Sequence, residues 1–155
     1  MDEWQNMFDG LPTVFKTSAL IDRIHGFIKG WDIPRMNEGL KIKGWALNSE
    51  YFTTIMHLMR DDASYRAIVD RIVEYPDNAD TRHTEAVKRL ATAFMKLLFP
   101  NVRSVSDVNI AEFQHYCLRP AKKMREIILR QLGMLDSQYK GIDMPKFSVK
   151  GIDNE

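Results

Sequence analysis

Hydrophobic positions recur at helical spacing through the middle of the chain. Phe52, Ile55, Met56 and Met59 stand at i, i+3, i+4 and i+7, the stripe that one face of an α-helix presents. Asn48 or Ser49, just ahead, can cap it. Tyr65, Ile68, Val69 and Ile72 repeat the spacing after Asp61 and Asp62, and Pro76 with Asp77-Asn78-Ala79-Asp80 stops that segment. A third helix is predicted from Thr81 to Leu98, with Val87, Leu90, Phe94, Leu97 and Leu98 on one face and Pro100 ending it. Asn109 and Glu112 have the spacing of a capping box for a fourth helix through Ile110, Phe113 and Cys117. Pro120 then either kinks that helix or opens a fifth at its first turn. The fifth carries Met124, Ile127, Ile128 and Leu132, with a stop at Gly133.

The ends of the chain read differently. Residues 17–28 suggest a short helix, and residues 30–34 a short strand or extended run, with Gly26 and Gly30 as turn residues. From Asp136 onward the chain is polar and aperiodic, with Gly141, Pro145 and Gly151, apart from a strand stub at Phe147 and Val149. Met56 and Met59 are expected in a core, and Trp31 and Trp45 as buried anchors. The fold class is therefore mainly α: a small bundle of four to five helices, preceded by a short helix and one or two short strands.

Composition narrows the function more than the fold. The 155 residues suit one compact domain, or one domain plus a lobe of a larger one, and 45% hydrophobic with 28% charged residues is an ordinary globular profile. Lys+Arg total 22 against 21 for Asp+Glu, a net charge of +1 that argues against an overall polyanion-binding surface. No apolar run approaches the roughly 18–20 residues of a membrane span, so no membrane partner is expected. Cys117 is the single cysteine, so no disulfide can form within the chain and a cytoplasmic setting is expected.

The chemistry that is missing matters as much. No glycine falls in GxxxxGK[ST], the phosphate-cradling loop. His25, His57, His83 and His115 have no metal-ligand spacing, so no metal site is expected. Nothing marks a nucleophile with a dedicated base, and a self-contained enzyme is not expected.

Arginine placement stands out instead. Arg82 and Arg89 lie seven residues apart on the third helix and project at nearly the same angle, with Lys96 extending the edge. One reading is a solvated flank, with Arg82, Glu85 and Arg89 in surface ion pairs. The other is a pair of cations presented to an anionic ligand. Arg23 sits in Leu20-Ile21-Asp22-Arg23-Ile24-His25-Gly26, where Asp22 and Arg23 read most simply as helix-surface charges. Lys122, Lys123 and Arg125 form a local basic cluster that could meet nucleic acid.

Several separated stretches then carry a resemblance. LIDRIHGFIKGWDIPRM, GWALNSEYF, ADTRHTEAVKRLATAFMKLLFP and YCLRPAKKMR occur in the order of the Lon-related AAA+ ATPases of BREX phage-defence systems. The resemblance covers about residues 7–145. Those proteins are related in arrangement to MCM helicases and carry a Lon-like C-terminal domain.

The resemblance implies a division of the chain. Residues 1–47 would end the AAA+ core, residues 48–135 would be its helical lid, and residues 136–155 a linker toward a Lon-like domain. Asp22-Arg23-Ile24-His25 is similar to the short motif that bears the arginine finger, with Ile and His in place of the usual Phe and Asp. Arg23 would then act in trans on a neighbouring subunit's ATP. Thr81-Arg82…Val87-Lys88-Arg89-Leu90 is similar to the sensor-2 pattern, so Arg82 and Arg89 would address ATP held by the parent core.

ATP and Mg2+ would be cofactors of the parent protein, its partners the neighbouring subunits of a homo-oligomeric ring and double-stranded DNA. The phosphate loop and magnesium-holding acids would precede Met1, leaving this segment inactive alone. Two other readings stay open: a free-standing helical module that binds DNA or protein, and an oligomerisation piece.

Overall fold

A computed structural model describes residues 6–150. Residues 1–5 and 151–155, the outer ends of the two terminal segments and Gly151 with them, lie outside the described residues. The protein is mainly helical: α1 (Ser18–Ile21), α2 (Ser49–Leu58), α3 (Ser64–Ile72), α4 (Thr81–Leu98), α5 (Ile110–Phe113) and α6 (Arg119–Leu135), with short 3-10 turns between several of them. The chain divides into two units. Ile28–Ala63 forms one, and the chain up to Phe27 together with everything from Ser64 onward forms the other. Helix α2 belongs to the smaller unit, and α1 and α3 to α6 belong to the larger.

The larger unit is the helical bundle. Asp80 caps α4 by accepting from the backbone N–H of Arg82 and His83, and Asn109 caps α5 by accepting from Glu112 N, each satisfying N–H groups that a helix start leaves open. α4 packs against both α3 and α6. Its buried face is His83, Thr84, Ala86, Val87, Lys88, Ala91, Thr92 and Met95. That face is rotated from the expected one: Val87 is buried, but Leu97 and Leu98 are exposed. Tyr65, Ile68, Val69 and Ile72 of α3 are all buried, as their spacing predicts.

Of the two roles open to Pro120, the structure shows the second: it stands in the first turn of α6. Gln114–Leu118 forms a π-helical turn that joins α5 directly to α6. Pro120 has no N–H to donate, and the wider turn just before it is the irregularity that lets the helix continue past it. Gly133 also lies inside α6, which runs on to Leu135. On the face of α6 that looks inward, Ile128 and Leu132 join Phe8 and Ile21 in a core cluster flanked by Ile24, Phe27, Leu135 and Tyr139. Phe8 meets Phe27 edge to face at 5.7 Å.

The tail returns to the bundle. Strand β2 (Ser148–Val149) pairs antiparallel with β1 (Val73–Glu74), in register Val73 to Val149, and Phe147 is buried. The polar stretch after Asp136 is therefore anchored up to Lys150, whose N–H donates to Ile72 O at 2.9 Å.

The smaller unit differs from its predicted character. Residues 30–32 form a 3-10 turn rather than a strand. Asn48 caps α2 through Glu50 N and Tyr51 N, but no residue of α2 is buried. Trp31 and Trp45 are exposed, Trp45 completely, rather than buried anchors.

Candidate functional site

The short helix α1 ends in a turn, residues 22–27, that is strapped to α4 and α6. Gly26 lies so close to α6 that a Cβ there would stand 2.8 Å from Met124 Cβ and 3.0 Å from Leu90 Cδ1. Phe27 N donates to Met124 O at 3.2 Å. The strongest strap is Arg125, whose side chain is 0% exposed. Its Nη1 donates to Asp22 O at 2.9 Å and to Ile24 O at 2.6 Å, the carbonyls either side of Arg23. Its Nε donates to His83 Nδ1 at 2.9 Å and its Nη2 to Asp22 Oδ1.

Asp22 is buried, so it is not a surface charge. One carboxylate oxygen takes Arg125, and the other takes Nη1 of Arg82. Burial alone would raise the Asp22 pKa, but the hydrogen bonds from Arg82 and Arg125, with their charges, outweigh it and hold the carboxyl below its ordinary value. His83 is shifted downward by burial and then by the Arg125 charge. A neutral His83 with its proton on Nε2 leaves Nδ1 free to accept from Arg125.

Above this buried network lies a cleft of about 290 Å³, lined by Asp22, Arg23, His25, Arg82, Glu85, Ala86 and Arg89. The fold therefore brings Arg23, Arg82 and Arg89 to one place. Arg23 reaches back to Ala19 O at 2.5 Å. Arg82 is half exposed beyond its bond to Asp22. Arg89 lies 3.8 Å from Glu85 and 3.3 Å from His25 Nε2. Burial, then the charges of Arg89 and Arg125, keep His25 below its ordinary pKa, which leaves the cleft's cationic character to the arginines. Of the expected surface pairs, Glu85–Arg89 is present, whereas Arg82 turns to Asp22 and Glu85 also accepts from Arg66 at 2.8 Å.

The basic cluster on α6 does not hold together as one patch. Lys123 is exposed and Lys122 lies with its Nζ 5.9 Å from the Phe147 ring centroid. Arg125 is fully buried and committed inside, so it is unavailable to nucleic acid. Asp22 and His83 were not among the residues singled out for chemistry. Helical phase was the signal for His83 and Arg125: His83 shares a face with Val87 and Ala91, and Arg125 with Ala121, Ile128 and Leu132.

Among the described residues no three His, Cys, Asp or Glu side chains converge to hold a metal ion. No helix among them is long and apolar enough to cross a membrane. Cys117 is buried, which pushes its thiol up to about 12, so it is an inert packing residue.

The fold and the site thus define a helical body that presents several arginines beside a buried carboxylate. Comparison with known sequences identifies its family. The family described as "Lon-like protease BrxL-like, ATPase domain" matches residues 1–144, and the chain belongs to that family. It is 28% identical over 145 residues to the Lon-like protease BrxL of Escherichia coli O9:H4 (strain HS), covering 93% of this chain and 19% of that protein. It is 26% identical over 141 residues to the Lon-like protease BrxL of Bacillus cereus (strain H3081.97), covering 89% of this chain and 21% of that protein. The chain thus spans about a fifth of the length of these curated relatives.

Proposed function

We propose that this chain is the arginine-bearing end of the core and the helical lid of a ring-forming AAA+ motor, acting on ATP bound by protein outside the segment. The observation that carries the reading is the convergence of Arg23, Arg82 and Arg89 on one cleft. In γ-phosphoryl transfer, negative charge spreads over three equatorial oxygens of the transferring group. A fixed guanidinium can meet two such oxygens with parallel hydrogen bonds. Arg23 would serve as the finger, and Arg82 and Arg89 as sensor-2 groups. Because the three share a cleft, this reading has them serve one nucleotide, held by a neighbouring subunit, rather than two.

The cleft suits phosphates and not the metal that accompanies them. Both oxygens of Asp22 are taken by arginines, and Glu85 is engaged by Arg66 and Arg89, so Mg2+ is assigned to residues outside the segment. The neighbouring subunits of a homo-oligomeric ring, double-stranded DNA, a BREX-type role in phage defence and a cytoplasmic setting complete the proposal, and each belongs to the assembled protein.

The test is Arg23→Ala in the full-length ATPase that contains this segment. Turnover should fall by about 10³-fold or more, the scale of a lost arginine finger, while nucleotide binding is retained. Normal turnover in that variant would remove Arg23 from the mechanism.

A further inference from the structure

We propose that Asp22 and Arg125 are positioning residues that set the geometry of Arg23 and Arg82, a role that rests on the cleft being the phosphate-facing site. Three observations carry it. Arg125 bonds the carbonyls of Asp22 and Ile24, so the backbone that carries Arg23 is held from beneath, one residue before it and one after, by a group with no access to solvent. Asp22 divides its two oxygens between Arg125 and Arg82. The Asp22–Arg82 bond uses Nη1 alone, and Arg82 remains half exposed, which leaves further donors of its fork for a ligand. His83 completes the arrangement by taking the remaining Nε–H of Arg125.

The consequence is mechanical. Arg23 comes from the turn after α1, Arg82 from the first turn of α4 and Arg125 from α6; the buried Asp22 carboxylate joins Arg82 to Arg125, and Arg125 in turn holds the backbone on which Arg23 sits. A finger is effective only when its donors are held within a fraction of an ångström of the developing charge. Side chains as long as arginine lose that precision unless something fixes them. Here a buried carboxylate and a second, fully buried arginine do the fixing.

The experiment is steady-state ATP turnover of the full-length ATPase carrying Asp22→Asn, alone and with Arg82→Ala. Asp22→Asn should lower kcat about tenfold, leave KM for ATP unchanged or lower because a negative charge has gone, and add less than its own loss in the Arg82→Ala background. An unchanged kcat, or a fully additive loss, would overturn the positioning role. If Asp22→Asn does not fold, His83 decides. His83→Leu, which removes the acceptor for Arg125 Nε without changing charge, should lower kcat about threefold, and His83→Asn, which restores an acceptor, should recover it. Equal kcat in Leu and Asn variants would overturn the proposal. The two readings fail separately: an Arg23→Ala variant with normal turnover refutes the cleft itself, whereas a damaged Arg23→Ala beside a normal Asp22→Asn refutes only the positioning role.

Discussion

Helices α2 and α3 carry the same spacing of apolar residues, yet α3 buries all four of its stripe residues and α2 buries none. The contrast extends to the units around them. The bundle encloses even an arginine, while residues 28–63 leave Trp45, Ile42 and Leu47 open to solvent. A 3.6-residue period specifies that a face is apolar, but burial requires a second surface to close over it. In the bundle, α4 supplies that surface to α3 and α6 in turn. Within Ile28–Ala63 there is one helix of two to three turns and no second element long enough to pair with it.

Substitutions can sharpen or break this contrast. The largest effect on stability is expected from Arg125→Met in the bundle. A buried ion pair contributes little net stability compared with an apolar pair, but removing Arg125 leaves one oxygen of the buried Asp22 carboxylate, two backbone carbonyls and His83 Nδ1 without their donor, while Arg82 keeps the other Asp22 oxygen, at a cost of about 3–5 kcal/mol. Chemical denaturation should show that loss, and a difference below about 1 kcal/mol would mean that Asp22 finds water once Arg125 is gone.

A smaller effect follows from acid. His83 is neutral in the fold because burial and Arg125 hold its pKa below the ordinary 6.5. The unfolded chain therefore binds more protons once the pH drops below about 6.5, and stability falls from there down to the folded value. Asp22 acts lower: its stabilising contribution is present above 3.8, its unfolded value, and is lost as pH falls through its depressed folded value. Thermal melts between about pH 7.5 and 5 should show wild type losing stability and His83→Asn losing less, with the remainder assigned to His25. Identical slopes for the two proteins would contradict a buried neutral His83.

The smallest effect belongs to the other unit. Trp45→Ser removes a large apolar side chain that touches solvent on all sides, and stability should change by no more than about 0.5 kcal/mol. A loss of 2 kcal/mol or more would show that Trp45 is packed in solution, and would erase the contrast between the units.

The sequence disclosed helices wherever the period was sustained: α3, α4 and the inward face of α6 follow from their spacing, and the cap at Asn48 from residue type. It was less informative where one feature had two physical readings. Trp31 and Trp45 are large and apolar, which predicts burial on average but does not identify a covering element. Pro120 fits either a kink or a helix start, and the π turn before it places it in the first turn of α6. At the site, Arg23, Arg82 and Arg89 stood out as exposed cations, but Asp22 looked like one more surface charge. Its importance comes from a meeting of residues about 60 and 100 positions apart, and no local pattern records such a distance. Arg125 is legible in principle, because its phase on α6 matches Ala121, Ile128 and Leu132, although its charge alone points to the surface.

The π turn at Gln114–Leu118 also works as a gearing between the two ends of one long helix. Each residue of an α-helix advances the side-chain direction by about 100°, whereas a π turn spends an extra residue on nearly the same rotation. Phe113 on one side and Arg125 on the other both face inward because that extra residue absorbs the mismatch. An uninterrupted α-helix through the same sequence would swing α6 by roughly a quarter turn relative to α5. Arg125 would then be carried away from Asp22, and Met124 would take the inward direction in its place. The choice between an interior guanidinium and an exterior one is thus made some seven residues upstream, by the pitch of a single turn.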